Sequence, residues 1–184
     1  YIQMQALAKT HADGLYISPV IGSERAGDFM PEAVIRSYQL VMDEGIYPAD
    51  KVVLGCFATY PRYAGPREAV FTALCRKNMG CSHFIIGRDH TGVGDFYTTD
   101  ANRRLFEQLE DIDIKPIFFD AIGYNPNSNS YAPLGADGTQ APISGTQVRQ
   151  ALANGDPLPE WFIRPEIVTM LRDKLKAGQT IFVE

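Results

Sequence analysis

Residues 65–87 read GPREAVFTALCRKNMGCSHFIIG, and they carry one helix signal followed by one strand signal. Pro66 is typical of the first position of a helix, and Gly80 is typical of the position just after the last turn. The run HFIIG is apolar without alternation, as in a strand that is buried on both faces of a parallel sheet. The stretch therefore predicts a helix that leads into an inner strand.

The same alternation of signals continues on both sides of this stretch. Strands are predicted over 15–22, 51–57 and 114–119, and helices over 1–12, 31–45 and 98–112, the last with Asp100 as a cap. Strands that are separated by helical segments form parallel sheets with helices packed on their faces. The predicted fold class is α/β, with a Rossmann-like parallel sheet.

The sequence changes character beyond the fourth strand. Residues 125–142 are rich in Pro, Asn, Ser and Gly and are predicted to be a loop. Two more helices are predicted after it, one capped by Ser144 and one begun by Pro165. The domain boundary is placed in this loop, between an α/β domain over 1–124 and a small helical subdomain over 125–184.

Composition limits the possible classes of function. The chain has 184 residues and a net charge of −5, which argues against a general nucleic-acid binder. No apolar run of about 18 residues is present, so no transmembrane helix and no membrane partner are expected. Three cysteines without a CxxC pair predict reduced thiols in a cytoplasmic protein. Three scattered histidines and the missing Cys pair argue against a transition-metal site.

The chain begins at Tyr1, with neither a methionine nor a signal peptide ahead of what reads as a helix already under way. We expect the sequence to be a piece of a longer protein.

The first candidate site is GRDHTGVG over 87–94, which follows the predicted inner strand. Ligands of parallel α/β sheets bind beyond the carboxyl ends of the strands. Gly87 permits a close backbone approach, Arg88 can fork onto phosphate or sulfate oxygens, and His90 can donate to a phosphate. A turn with an internal pair between Arg88 and Asp89 explains the same pattern equally well.

The second candidate is PISGTQVR over 142–149. The turn formed by Ser144, Gly145 and Thr146 enters a helix, where main-chain N–H groups and the helix dipole attract anions. Arg149 lies one turn further on and can add a charged contact. An ordinary helix cap with a solvated arginine is the alternative interpretation.

The third candidate is RYAGPREA over 62–69, where Arg62 and Arg67 flank a tight turn at a helix start. An arginine at this end of a helix opposes the dipole, and Glu68 can compensate for it. Two interpretations fit these arginines equally well, namely a functional role and pairing with other residues of the chain.

Together, these motifs identify a known family. The stretch RYAGPREAVFTALCRKNMGCSHFIIGRDHTGVGDFY, then ISGTQVRQAL and PEWFIRPEIVTML, closely resembles ATP sulfurylase (sulfate adenylyltransferase) from about Gly14 to Leu171. The resemblance implies a nucleotidylyltransferase version of the Rossmann-like sheet. It also implies an enzyme of sulfur metabolism, a transferase that joins ATP and sulfate to give adenosine 5′-phosphosulfate and pyrophosphate or runs in the reverse direction, so that sulfate assimilation and ATP formation are both open. A sulfate oxygen attacks the α-phosphorus directly, Mg²⁺ accompanies ATP, and the full-length protein is expected to be a homo-oligomer.

Site residues follow from the resemblance position by position. Arg88 and His90 are implied as catalytic residues, and Arg88 and Thr91 as sulfate-binding residues. Thr91 stands where alanine is common, and Gln147 where lysine is frequent. The implied ATP-binding residues are Gly87, Arg88, Asp89, His90, Phe119, Ile122, Ser144, Gly145, Thr146 and Arg149.

Two departures from the family pattern stand out. The signature Gln-x-Arg-Asn-Pro-x-His-x-x-His should lie just before Tyr1, so this chain alone is expected to be inactive. The 125–142 loop contains no cysteine, so no zinc is expected there. The alternatives are another adenylyltransferase of the same superfamily and a non-catalytic nucleotide-binding or assembly domain.

Overall fold

The computed structural model describes residues 11–22, 26–87, 96–98, 100–109, 111–119, 121–140 and 143–183. The strands are β1 Leu15–Ile17, β2 Val20–Ile21, β3 Val52–Leu54, β4 Phe57–Ala58, β5 His83–Ile86, β6 Lys115–Phe118, β7 Ile122–Asn125 and β8 Ser130–Pro133. The helices are α1 Pro31–Asp43, α2 Pro66–Asn78, α3 Ala101–Glu107, α4 Gly145–Asn154 and α5 Pro165–Lys176. The predicted opening helix over 1–12 lies almost wholly outside the described residues.

The first two predicted strands pair in parallel, as expected from the helix between them. Leu15 of β1 lies opposite Val52 of β3, and Val20 of β2 lies opposite Phe57 of β4, so the register is the same in both pairs. Each predicted strand is interrupted once. Pro19 has no N–H to donate, but its carbonyl accepts from Phe57 N at 2.9 Å, so the ladder continues across the break.

The inner strand predicted from HFIIG is β5, and it pairs in parallel with β6. Helix α3 lies between the two strands in the sequence, which gives a β-α-β unit. Ile86 is fully buried against Ala69 and Ala73 of α2 and Phe106 of α3. The carboxyl ends of β5 and β6 therefore meet at one edge of the sheet, with a packed core behind them. The predicted α/β class with parallel strands is confirmed.

The segment predicted as a loop contains a strand. Strand β8 pairs with β7 in antiparallel register, with Tyr124 opposite Tyr131. The two rings lie 5.4 Å apart edge to face, and the ring of Trp161 stacks on Tyr124 at 4.9 Å. The prediction of a structureless loop over 125–142 was wrong in this part, because cross-strand aromatic packing outweighed the turn-rich composition.

The C-terminal helices pack on the α/β part of the chain. Ala33 of α1 shares one buried cluster with Val148 and Leu152 of α4 and with Val168 and Leu171 of α5. The boundary proposed within the 125–142 loop remains a prediction.

Residues 181–183 form main-chain hydrogen bonds with the segment that precedes α1. The main-chain N–H of Met30 donates to Ile181 O at 2.9 Å, and Val183 N donates to Asp28 O at 2.8 Å. Ile181 is 1% exposed, and the rings of Phe29 and Phe182 lie 4.9 Å apart. This pairing buries the apolar residues Ile181 and Phe182 against the segment that precedes α1.

Within the described ranges, no helix has the length and apolar character needed to cross a bilayer. All three cysteines are free thiols, and Cys56 is exposed although it follows an apolar run.

Candidate functional site

The candidate site lies where β5 and β6 end. The N–H of Phe119 donates to Ile86 O at 3.0 Å, which places Phe119 beside Gly87 at the edge of the sheet. The resemblance described above implies that both residues bind ATP. Because parallel strands direct their carboxyl ends to one edge, this is the position where α/β sheets bind ligands.

A cavity of about 470 Å³ opens at this edge. That volume lies within the range of about 300–1,000 Å³ that is usual for small-molecule sites. Its walls combine apolar side chains with three polar side chains at the start of α3. The lining residues are Ile86, Gly87, Asp100, Asn102, Arg103, Phe118, Phe119, Ala121, Pro133 and Leu134.

The β7–β8 hairpin supplies one wall of the cavity. Leu134 N donates to Ala121 O at 2.7 Å, and this bond ties the end of the hairpin to the residue that precedes β7. Pro133 and Leu134 thereby reach the same cavity as Phe119. The strand missed by the sequence-based prediction therefore shapes the site.

The polar rim of the cavity is held by a small network at the start of α3. Arg104 donates to Asp100 Oδ1 at 2.7 Å and to Thr98 Oγ1 at 2.8 Å. Hydrogen bonds from Thr98 and Arg104 hold the pKa of the Asp100 carboxyl below its usual value of 3.8. Asp100 was predicted to cap α3 and occupies the N-cap position, but its side chain makes no capping bond, because it pairs with Arg104 instead.

Asn102 and Arg103 are the other polar residues at the cavity. Asn102 is 8% exposed, and its Oδ1 has no hydrogen-bond partner within the part of the chain that the structure describes. The Arg103 guanidinium carbon lies 4.5 Å from the centre of the Phe118 ring, in a cation–π contact. A buried amide oxygen without a donor is costly in a protein interior, so Asn102 is an unusual feature here.

The RYAGPREA turn is organised by Glu68. This carboxylate is buried at 6% exposure, and it accepts from Arg62 N at 2.8 Å and from Ala64 N at 3.0 Å. Glu68 lies in the first turn of α2, where a negative charge also interacts favourably with the positive end of the helix dipole. Gly65, at φ +56°, leaves no space for a side chain beside the ring of Tyr97.

The arginines of this turn have different surroundings. The Arg62 guanidinium lies 4.2 Å from the centre of the Tyr60 ring and 4.6 Å from that of Phe71, and it donates to Tyr60 O at 3.1 Å. Internal pairing therefore accounts for Arg62. Arg67 is exposed, and its role stays open.

The second predicted anion site is a well-formed helix start. Ser144 is the N-cap of α4, and its Oγ accepts from Gln147 N at 3.2 Å while Gln147 Oε1 accepts from Ser144 N at 2.9 Å. Arg149 donates to Thr146 Oγ1 at 3.1 Å. Ser144, Gly145 and Thr146 are exposed, so the cap leaves its outer face open to solvent. Gln147 completes the capping box.

The structure brings some predicted residues together and leaves others apart. Gly87 and Phe119 line one cavity, whereas Ile122 begins β7 and is not among its lining residues. The Ser144–Arg149 group is also not among the lining residues that the structure describes. Arg88, Asp89, His90 and Thr91 lie outside the described residues.

Asn102 and Arg103 were not predicted as site residues. A sequence signal was available, because the start of a helix that follows a strand lies at the carboxyl edge of a parallel sheet. Among the described residues, no three His, Cys, Asp or Glu side chains gather in a way that would hold a metal ion.

Comparison with known sequences gives a consistent result. A sequence model described as ATP-sulfurylase matches residues 1–174. A sulfate adenylyltransferase of Symbiobacterium thermophilum is 42% identical over 186 residues, which cover 97% of this chain and 46% of the relative. Those of Halothermothrix orenii and Pyrococcus abyssi are 41% and 39% identical, over 91% and 94% of this chain and 45% and 46% of theirs. The chain spans about half the length of these relatives.

Comparison with solved structures shows the fold. A chain described as a hexameric APS kinase from Thiobacillus denitrificans superposes with a TM-score of 0.69 over 92% of this chain and 32% of that one. The two sequences are 22% identical, so this likeness concerns the fold alone.

Proposed function

Because this chain belongs to the ATP-sulfurylase family, we propose that its protein is a sulfate adenylyltransferase, a cytoplasmic enzyme of sulfur metabolism. The reaction converts ATP and sulfate into adenosine 5′-phosphosulfate and pyrophosphate. The observation that carries the proposal is the family match over residues 1–174, together with a cavity at the carboxyl ends of β5 and β6 that Gly87 and Phe119 line.

The reaction proposed is a direct displacement at the α-phosphorus of ATP. A sulfate oxygen forms the new bond to phosphorus, the bond to the β-phosphate oxygen breaks, and the electron pair leaves with pyrophosphate. Sulfate is a weak nucleophile and carries the same sign of charge as ATP. Catalysis therefore depends on holding the two anions in contact and offsetting their repulsion.

The described residues supply parts of such a site. Gly87 permits close approach of a ligand to the main chain at the end of β5, and the apolar walls of the cavity suit the base of a nucleotide. At α4, the exposed Ser144, Gly145 and Thr146 and the nearby Arg149 suit the phosphate side. Ile122 is proposed to lie near the base, as the resemblance implies.

The remaining roles rest on the resemblance. Arg88 and His90 are proposed to stabilise the transferring group, with Asp89 beside them at the nucleotide and with Arg88 and Thr91 at sulfate. Mg²⁺ is proposed to arrive with ATP and to neutralise its β- and γ-phosphates, since Mg²⁺ takes most of its ligands from phosphates and water in such sites. The described residues gather no cluster that would bind it alone. The full-length protein is proposed to be a homo-oligomer.

The test is product formation by the full-length protein. With ATP, Mg²⁺ and sulfate, the expected products are adenosine 5′-phosphosulfate and pyrophosphate in equal amounts, separated by chromatography. The matched control replaces sulfate with a phosphorylated cofactor precursor. Adenylylation of that acceptor and not of sulfate would identify another adenylyltransferase of the superfamily. Nucleotide binding without either product would identify a non-catalytic domain.

A further inference from the structure

Two adjacent arginines of α3 have different surroundings. Arg104 donates to Asp100 Oδ1 at 2.7 Å and to Thr98 Oγ1 at 2.8 Å, so its charge is offset within the protein. Arg103 is exposed, and within the described ranges it pairs with no carboxylate and forms no side-chain hydrogen bond. The part of the chain that the structure describes therefore leaves the charge of Arg103 uncompensated.

The ring of Phe118 holds the Arg103 side chain beside the cavity. The guanidinium carbon lies 4.5 Å from the centre of this ring, and both residues line the cavity at the ends of β5 and β6. Phe118 in turn contacts Phe106 edge to face, with 6.0 Å between the ring centres, and Phe106 is 6% exposed. A cation–π contact with a ring anchored in the core restricts a long side chain, so the guanidinium stays at the cavity.

The charges around the cavity leave an excess of positive charge. Of the described residues that line it, Asp100 and Arg103 are the ionisable ones, and the Asp100 carboxylate is already paired with Arg104. A guanidinium is a planar fork of N–H donors that matches the oxygens of phosphate and sulfate. An anion at the rim would supply the acceptors that Arg103 lacks among the described residues, and it would displace no ion pair of theirs.

We propose that Arg103 binds an oxyanion of the reaction, either a phosphate of ATP or sulfate, at the rim of the cavity. The proposal rests on the proposed function, because it takes ATP and sulfate as the ligands of this site. Both oxyanions present the same kind of acceptor oxygen, and separate measurements with ATP and with sulfate distinguish them. Arg103 is a cation that no sequence motif had indicated.

The experiment measures two constants for the full-length protein, the Kd of ATP by calorimetric titration and the KM of sulfate at saturating ATP. Arg103→Gln changes an exposed residue and should leave the melting temperature nearly unchanged. If Arg103 contacts a phosphate, the Kd of ATP should rise about tenfold or more, the effect of one lost hydrogen bond between charged groups. If it contacts sulfate, the KM of sulfate should rise by the same factor.

Two further variants separate a lost contact from other effects. Arg103→Lys keeps the charge but loses the planar fork, so it should restore part of the affinity that the glutamine variant loses. Arg36→Gln removes a positive charge from the surface of α1, where Arg36 pairs with Asp43, and should change neither constant. The second variant controls for the change in net charge.

Three outcomes would contradict the proposal, and the last also contradicts the proposed function. If both constants are unchanged in Arg103→Gln, Arg103 binds no oxyanion, whether or not the melting temperature falls. If Arg36→Gln weakens binding as much as Arg103→Gln does, the effect comes from net charge and not from a contact at the cavity. If the wild-type protein neither binds ATP nor consumes sulfate, the proposed function itself fails, and this result is distinct from the other two.

Discussion

Gly65 packs against the ring of Tyr97 so closely that a Cβ atom on Gly65 would lie 2.5 Å from the ring carbons. The contact joins the turn that begins α2 to the segment that precedes α3. It also explains why a glycine stands ahead of Pro66, since Gly65 adopts φ +56° as well.

Gly65→Ala should therefore destabilise the protein by about 3 kcal/mol, because it combines backbone strain with a steric clash. Gly45→Ala is the matched control, since Gly45 also has a positive φ but a Cβ added there would meet nothing within 4 Å. The control should cost only about 1 kcal/mol. Urea unfolding measures both, and equal losses in the two variants would contradict the packing described here.

Glu68→Gln should lower the free energy of unfolding by about 1–3 kcal/mol. The amide keeps one acceptor oxygen, but its NH₂ group faces the other main-chain N–H, which is then left without an acceptor. The two bonds at stake are those from Arg62 N and Ala64 N. Glu32→Gln, at an exposed position in the first turn of α1, is the control and should lose less than about 1 kcal/mol. A similar free energy of unfolding for both variants would show that the buried carboxylate does not hold the turn.

Two substitutions at Ser144 distinguish its contribution to helix capping from its contribution to ligand binding. Ser144→Ala should cost about 1 kcal/mol of stability, the usual effect of a lost N-cap. Ser144→Asp keeps a capping acceptor and should be as stable as wild type, but a carboxylate there repels phosphate. ATP affinity of the aspartate variant should fall more than about tenfold in the full-length protein. Unchanged affinity would remove Ser144 from the phosphate side.

The pairing of Asp100 predicts a dependence of stability on pH. Thr98 and Arg104 lower the pKa of Asp100 from 3.8 in the folded state, so its ionised form is favoured by folding. The stabilisation is present above the unfolded pKa and is lost as pH falls through the folded one. Asp100→Asn should therefore melt below wild type at about pH 6, and the difference should vanish once pH is well below 3.8. A difference that persists at the lowest pH would contradict this pairing.

The sequence predicted the parallel part of the fold because a continuous apolar run such as HFIIG is typical of a strand in a parallel sheet that is covered on both faces. The hairpin was missed because β8 is short and largely exposed and lies in a turn-rich segment. Strand register and aromatic stacking stabilise that strand, and neither can be read from the sequence pattern alone.

The position of the candidate cavity was predictable in part, whereas the roles of its residues remain predictions. Gly87 and Phe119 follow two neighbouring strands, and the edge rule for parallel sheets brings them together. The sequence places Asn102 at the start of a helix that follows a strand, but only the structure shows that it is buried without a partner among the described residues. That property arises only from three-dimensional packing.

The most direct test of the central claim is a crystal structure of the full-length protein with adenosine 5′-phosphosulfate bound. The adenosine half should occupy the cavity between Gly87 and Phe119, with its base against Phe118 and Leu134. A ligand bound at any other face, with this cavity filled only by solvent, would contradict the account.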